Sequence, residues 1–420
     1  MHQSAVLGNG LRIVTSKMPQ TFSVTVAVLV GSGSRYETDE IAGATHFLEH
    51  LLFKGTESMP TAKQISAAIE GVGGVMNAST DRELTVYWCK VARSHFKTAL
   101  SVLIDMVKNP LLDPEEMEKE RHIIFEELRM SADYPSNRVD LLIDEMLWPD
   151  QPMGRDIGGS KESVGRIKRE DLLDLMEKQY TPSNVVISVA GDVDHDEVID
   201  LLDISTVGWE SKEAGTWNPV ILNQNEPAIR VEYKKSEQVH LCVGLPGLQL
   251  NHPDTYAANL VNVMLGEGMS SRLFQEIREN QALAYDVHSY LGQFRDCGSL
   301  IVYCGTEPSR SALALDAIMG QLKTLAEGFS EDELEMAREY AKGSLMLRME
   351  DSRTVAMWQG GQEMLVGQVN TVEHVLSSLD LVTLQDVNRV ACDFIKPDQL
   401  NVAIVGPFRS HRRFQRSLRF

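Results

Sequence analysis

Residues 169–193 read REDLLDLMEKQYTPSNVVISVAGDV, and residues 384–407 read LQDVNRVACDFIKPDQLNVAIVGP. Each has an amphipathic run, then a proline, then a valine-rich stretch that ends at glycine, Gly191 in one and Gly406 in the other. The order predicts a helix, a turn and a buried strand. Working outward, the similarity continues. Ser23–Val30 (SVTVAVLV) alternates like a strand and precedes a loop and the apolar run GATHFLEHLLF; QVHLCVGLPG, LQLNHPD and TYAANLVNVML follow the same order about 212 residues later. Acidic helix starts recur at Asp113 (DPEEMEKER) and Ser330 (SEDELEMAR). A repeat at so long and constant an offset is a duplicated domain rather than a solenoid. The expected fold is α+β: two homologous domains, each a mainly antiparallel sheet with helices packed on one face. The boundaries are placed at 1–207 and 228–420, with the polar, turn-rich 208–227 as linker.

Composition narrows the function classes. The chain has 420 residues, 43% hydrophobic and 24% charged, which is ordinary for a globular protein. Its net charge is −20, from 40 basic and 60 acidic side chains. Nucleic acid and anionic lipid are therefore poor partners, because phosphate contacts need a basic face. The first 210 residues carry −14 of this charge, and the last twelve hold five Arg and no acid. That Arg-rich tail reads as a disordered terminus. A sharper reading makes it a mimic of a cationic peptide that enters an acidic chamber. Five scattered cysteines (Cys89, Cys242, Cys297, Cys304, Cys392) read as buried free thiols. No run approaches the ~18 apolar residues of a membrane span, and the start resembles no leader, so a cytoplasmic location is expected.

The chemistry lies in His46-Phe-Leu-Glu49-His50. Residues i and i+4 share a helix face, so His46 and His50 can reach one metal ion, with Glu49 at the edge of that face. This order is the inverted zinc motif. With no nearby thiolates, two imidazoles and a carboxylate suit catalytic zinc. The candidate third ligand is Glu127, in a predicted helix whose later turns look partly buried from Ile123, Ile124 and Leu128. Glu120, seven residues earlier, shares its face.

These residues carry a resemblance. The sequence resembles the pitrilysin/insulinase family of zinc metallopeptidases, in its short mitochondrial-processing-peptidase-like branch. Glu127 stands 77 positions after His50, Glu120 matches the family's acid seven before the ligand, GGVMNASTDRELTVYW matches the strand beside the site, and Arg278 and Tyr285 match an Arg/Tyr pair. The resemblance implies one Zn²⁺ per chain on His46, His50 and Glu127. It implies peptide-bond hydrolysis by zinc-activated water with Glu49 as general base and Glu120 in support. Arg278 and Tyr285 are the expected substrate and oxyanion contacts from the other domain, and Asn77 and Ala78 the contacts to an extended peptide. It further implies half-shells enclosing a chamber for short or unfolded peptides; the acidic charge suggests cationic ones, and a chain holding both the zinc motif and the Arg/Tyr pair is expected to form a homodimer. In the second copy the metal positions fall on Ala258, Val261, Asn262 and Ser344, which cannot hold zinc. The alternatives are a non-catalytic subunit, as in respiratory complexes, and a processing subunit inactive without its partner.

Overall fold

The computed structural model describes residues 2–418. It contains two mixed sheets, one in each of two compact units. The first is built from β1 (His2–Val6), β2 (Arg12–Lys17), β3 (Ser23–Val30), β4 (Val75–Thr80), β5 (Thr85–Ala92) and β6 (Val185–Gly191), in the order β1-β2-β6-β3-β5-β4. The second comprises β7 (Ala228–Tyr233), β8 (Val239–Pro246), β9 (Ala284–Gln293), β10 (Gly298–Thr306) and β11 (Asn401–Gly406), in the order β7-β11-β8-β10-β9. Apart from the added β1, the two orders are the same. Each sheet has one parallel pair, β2 with β6 and β7 with β11, and is otherwise antiparallel. The strands that end at Gly191 and Gly406 are those parallel partners, so the repeat read in the sequence is a repeat of topology.

Helices pack against each sheet. In the first unit Val24, Val26, Val28 and Val30 point into a core with Phe47, Leu48 and Leu51 of the Ala44–Leu52 helix and Leu100 and Leu103 of the Phe96–Lys108 helix. β3 and β6 are, however, buried almost throughout, which one covered face cannot explain. The opposite face is covered by the Ser352–Leu365 helix, whose Val355, Ala356 and Met364 meet Ala27, Leu29 and Val186. Ser352 and Gln359 on that helix bond Thr25 Oγ1 (2.9 Å) and Ser16 Oγ (2.8 Å), so its buried polar groups are satisfied. Asp351 caps it, accepting from Thr354 N and from Lys90 Nζ. In the second unit the Pro135–Leu147 helix does the same, with Val139, Leu142 and Ile143 against Cys242, Ala403 and Val405.

Two segments therefore depart from the contiguous boundaries 1–207 and 228–420. The first unit holds residues 1–128, 156–218 and 346–371, and the second holds 129–155, 219–345 and 372–420. The reason is physical. A sheet apolar on both faces needs cover on both, and each unit takes one covering helix from the other half of the chain. The expected linker is also divided. Within the first unit, Trp209 Nε1 donates to Tyr180 O (3.1 Å), and Trp217 stacks under Arg35 (3.9 Å). Within the second, Val220 N donates to Asp296 (2.8 Å) and Ile221 N to Gln151 (2.8 Å).

The Arg-rich tail is docked, not disordered. Phe414 is fully buried in the core of the second unit, edge-to-face with Phe408 at 5.3 Å, and Arg409 lies 4.3 Å over the Tyr233 ring. One aromatic in a polar run is enough to anchor it. Arg419 and Phe420 lie outside the described residues. All five cysteines are free, but Cys392 is exposed rather than buried. No described helix is long and apolar enough to cross a membrane.

Candidate metal centre

The centre lies within the first unit, between the Ala44–Leu52 and Pro114–Asp133 helices. The first begins at Gly43, whose φ of +94° and position 2.5 Å (as a virtual Cβ) from Gly158 O admit no side chain. Glu37 caps this start, accepting from Gly43 N (2.8 Å) and Thr45 N (2.6 Å). Phe47, Leu48 and Leu51 fix the buried face, which leaves His46, Glu49 and His50 on the half-buried side.

Glu127 comes from the facing helix. His46 Nε2 and His50 Nε2 are 3.3 Å apart, and Glu127 Oε2 lies 3.4 Å from His50 Nε2 and 3.8 Å from His46 Nε2. Ligand atoms about 2.0–2.1 Å from one ion at tetrahedral angles stand about 3.3–3.5 Å from each other. Three donors at almost that spacing, on one ion-sized gap, fit zinc. Burial, then the neighbouring His50, lowers the His46 imidazole to about 4, so its lone pair is free at neutral pH. Among the described residues this is the only three-donor group close enough to hold a metal.

Glu49 stands at the edge of the cluster. Burial raises its carboxyl above the ordinary range, partly opposed by the bond from Thr80. Thr80 Oγ1 donates to Glu49 Oε2 at 2.5 Å. Thr80 closes β4, the edge strand that also carries Asn77 and Ala78. Asn77 is exposed, and its side-chain oxygen accepts from Ala78 N (2.8 Å). The sequence reading missed Thr80, since nothing local links it to Glu49; β4 does so by tertiary placement.

Of the two acids on the Pro114–Asp133 helix, Glu127 is less buried than expected, while Glu120 lies beside a histidine as a supporting acid would. Glu127 is half-exposed, while Glu120 is buried at 3% exposure. Ile124 is buried, but Ile123 faces outward. Glu120 Oε2 meets His50 Nδ1 at 3.0 Å and its Oε1 meets Lys54 Nζ at 2.6 Å. Its place is therefore on the outer nitrogen of His50, not among the three donors.

Arg278 and Tyr285 belong to the second unit. The π-helical stretch Phe274–Asn280 folds back on the start of β9, so Arg278 Cζ lies 4.6 Å over the Tyr285 ring and 4.7 Å over Phe274. Tyr285 is 78% exposed, so it is no core tyrosine. At the repeat-equivalent positions, Ala258 and Val261 are core residues, and Asn262 Oδ1 accepts from Ser289 (2.8 Å).

Comparison with known proteins decides the family. The family described as Insulinase (Peptidase family M16) matches residues 12–161, and the Peptidase M16 inactive domain matches residues 166–340. An uncharacterized zinc protease of Bacillus subtilis is 36% identical over 95% of this chain and 97% of its own length. The chain belongs to the M16 peptidase family. Another M16-type relative, an uncharacterized zinc protease of Mycobacterium leprae, is 37% identical over 98% of this chain and 93% of its own. A protease from Helicobacter pylori has the same fold, with a TM-score of 0.92 at 24% identity over 97% of this chain and 99% of that one.

Proposed function

We propose that this M16 chain is a zinc metalloendopeptidase that cleaves extended or unfolded peptides. The three-donor cluster at tetrahedral spacing carries the reading. His46, His50 and Glu127 would hold one zinc ion. Bound there, zinc makes water acidic enough to supply hydroxide near neutral pH and polarises a carbonyl. Glu49 takes the proton of the attacking water on its carboxylate and returns it to the leaving amine as the C–N bond breaks. Its half-buried setting and raised pKa suit a group that must both accept and release a proton.

Substrate binding is assigned to β4. An edge strand pairs with an extended main chain without demanding a sequence, which suits Asn77 and Ala78 as contacts. Half-buried Arg278 and exposed Tyr285, stacked on each other, are assigned to a substrate carbonyl and the developing oxyanion. The dimer-enclosed chamber, the homodimer and the preference for cationic peptides complete the proposal.

Metal analysis with peptide cleavage tests it on wild type, His46→Ala and Glu49→Gln. The expected result is about one zinc per chain in wild type and Glu49→Gln, none in His46→Ala, and cleavage by wild type alone. Cleavage by Glu49→Gln at the wild-type rate would remove Glu49 as the base. A wild type that binds zinc but cleaves nothing would favour the partner-dependent subunit.

A further inference from the structure

The centre is a ladder between two helices that run in opposite directions. Along one side stand His46, His50 and Lys54, each four residues apart. Along the other stand Glu127 and Glu120, seven apart. Glu127 approaches His46 and His50, and Glu120 approaches His50 and Lys54. Lys54 lies beyond the end of the Ala44–Leu52 helix. It stays in the row because Phe53 keeps helical backbone angles (φ −83°, ψ −5°) and Lys54 N closes a last turn on Leu51 O (3.0 Å). The helix C-terminus is also where a cation is favoured.

We propose that Lys54 is a positioning residue for the metal ligand His50, acting through Glu120. The inference rests on the zinc reading above. Glu120 is buried, and its two oxygens are divided between two donors: Oε1 takes Lys54 Nζ and Oε2 takes His50 Nδ1. With Oε1 pinned, the carboxylate plane cannot swing, and Oε2 stays in line with the imidazole. A proton held on Nδ1 leaves the Nε2 lone pair facing the metal position. Lys54 also sets a positive charge against a gathering of three carboxylates, Glu49, Glu120 and Glu127. The arrangement is one-sided. His46 Nδ1 is buried and has no hydrogen-bond partner among the described residues. Orientation of the ligand pair therefore depends on His50, and through it on Glu120 and Lys54.

An ordinary ion pair tying two helices would show the same distances, so the test must read the metal and not only stability. Zinc affinity is measured on the metal-free full chain by competition with a chromophoric chelator, for wild type, Lys54→Met, Lys54→Arg, Glu120→Gln and Lys54→Met/Glu120→Gln. Thermal unfolding of each metal-free protein is recorded alongside. Partners on a ligand's outer nitrogen are worth about 10–100-fold in metal affinity, so a residue one bond further out is expected to give about tenfold. Lys54→Met should weaken zinc binding by about that factor, and Lys54→Arg should restore most of it. In the Glu120→Gln background, Lys54→Met should cost little more, because its route to His50 is already broken.

Wild-type zinc affinity in Lys54→Met would overturn the proposal. Losses that add in full in the double variant would overturn it too, since Lys54 would then act by another route. If Lys54→Met is too unstable to handle, Lys54→Gln takes its place in the same cycle. Failure of the zinc reading is separate: wild type would then bind no stoichiometric zinc, or His46→Ala would bind it as well as wild type.

Discussion

Replacing Phe414 tests whether the C-terminal tail is part of the second unit. Its ring is fully buried, in a hydrophobic cluster that includes Phe408 and Leu418 at its margin. A buried Phe→Ala change costs about 3–5 kcal/mol, from lost transfer energy and the cavity left behind. The second unit has roughly 200 residues, a size at which 1 kcal/mol shifts Tm by about 2–4 °C. A loss of about 4 kcal/mol therefore lowers its unfolding temperature by about 8–16 °C. Phe414→Leu keeps most of the volume and should cost about 1.5 kcal/mol or less. Calorimetry of the full chain would resolve the second unit's transition from that of the first, or show both falling if they unfold together. A Phe414→Ala loss under about 1 kcal/mol would refute the docking, because no residue with so completely buried a ring is so cheaply removed. A tail that is a free cationic arm predicts that small loss.

Three more outcomes follow from single contacts. Thr80→Val removes the donor to Glu49; a hydrogen bond to a charged group is worth about 1.5–3 kcal/mol, so kcat should fall about tenfold or more at unchanged zinc content, with Thr80→Ser restoring it. A Cβ on Gly360 would stand 2.4 Å from Leu29 Cδ1 and 2.9 Å from Ser188 Cβ, whereas Gly361 has open space. In urea unfolding Gly360→Ala should lose about 1–3 kcal/mol and Gly361→Ala should gain up to about 1. Burial pushes the Asp351 carboxyl up, but the bonds from Lys90 and Thr354 outweigh it and hold it below its ordinary value. Its contribution is thus full above the unfolded pKa of about 3.9 and lost as pH falls through the lower folded value. Asn still caps a helix, so the stability gap between wild type and Asp351→Asn should narrow from about pH 5 to about pH 3, and a gap that widens would refute the assignment.

Much of the site was legible because helix geometry is local. Four-residue spacing puts His46 and His50 on one face, and seven-residue spacing does so for Glu120 and Glu127, wherever the helices sit. Which acid joins the two histidines is not local. Ile124 is buried and Ile123 is not, so the apolar residues near Glu127 gave the wrong burial, and the buried carboxylate is Glu120. Thr80 lies in the stretch matched to the strand beside the site, but nothing in that stretch names Glu49 as its partner, and Lys54 carries no motif. Thr80 is chosen by the pairing of β4 at the sheet edge, and Lys54 by the antiparallel passage of two helices. The tail misled for a related reason: composition averages over residues, and one buried ring overrides the exposed cations Arg409, Arg412, Arg413 and Arg416.

By itself, then, the sequence determined the duplication, the order of elements shared by its two copies and the donor types on two helix faces. Those follow from periodicities of two and 3.6 residues and from the order of elements along the chain. Only the tertiary structure decided that the Ser352–Leu365 and Pro135–Leu147 helices cover the free faces of the sheets. It alone decided the third donor's distance and the partners of Glu49 and Glu120. These are contacts between residues far apart in sequence, and chain folding, not local pattern, selects them.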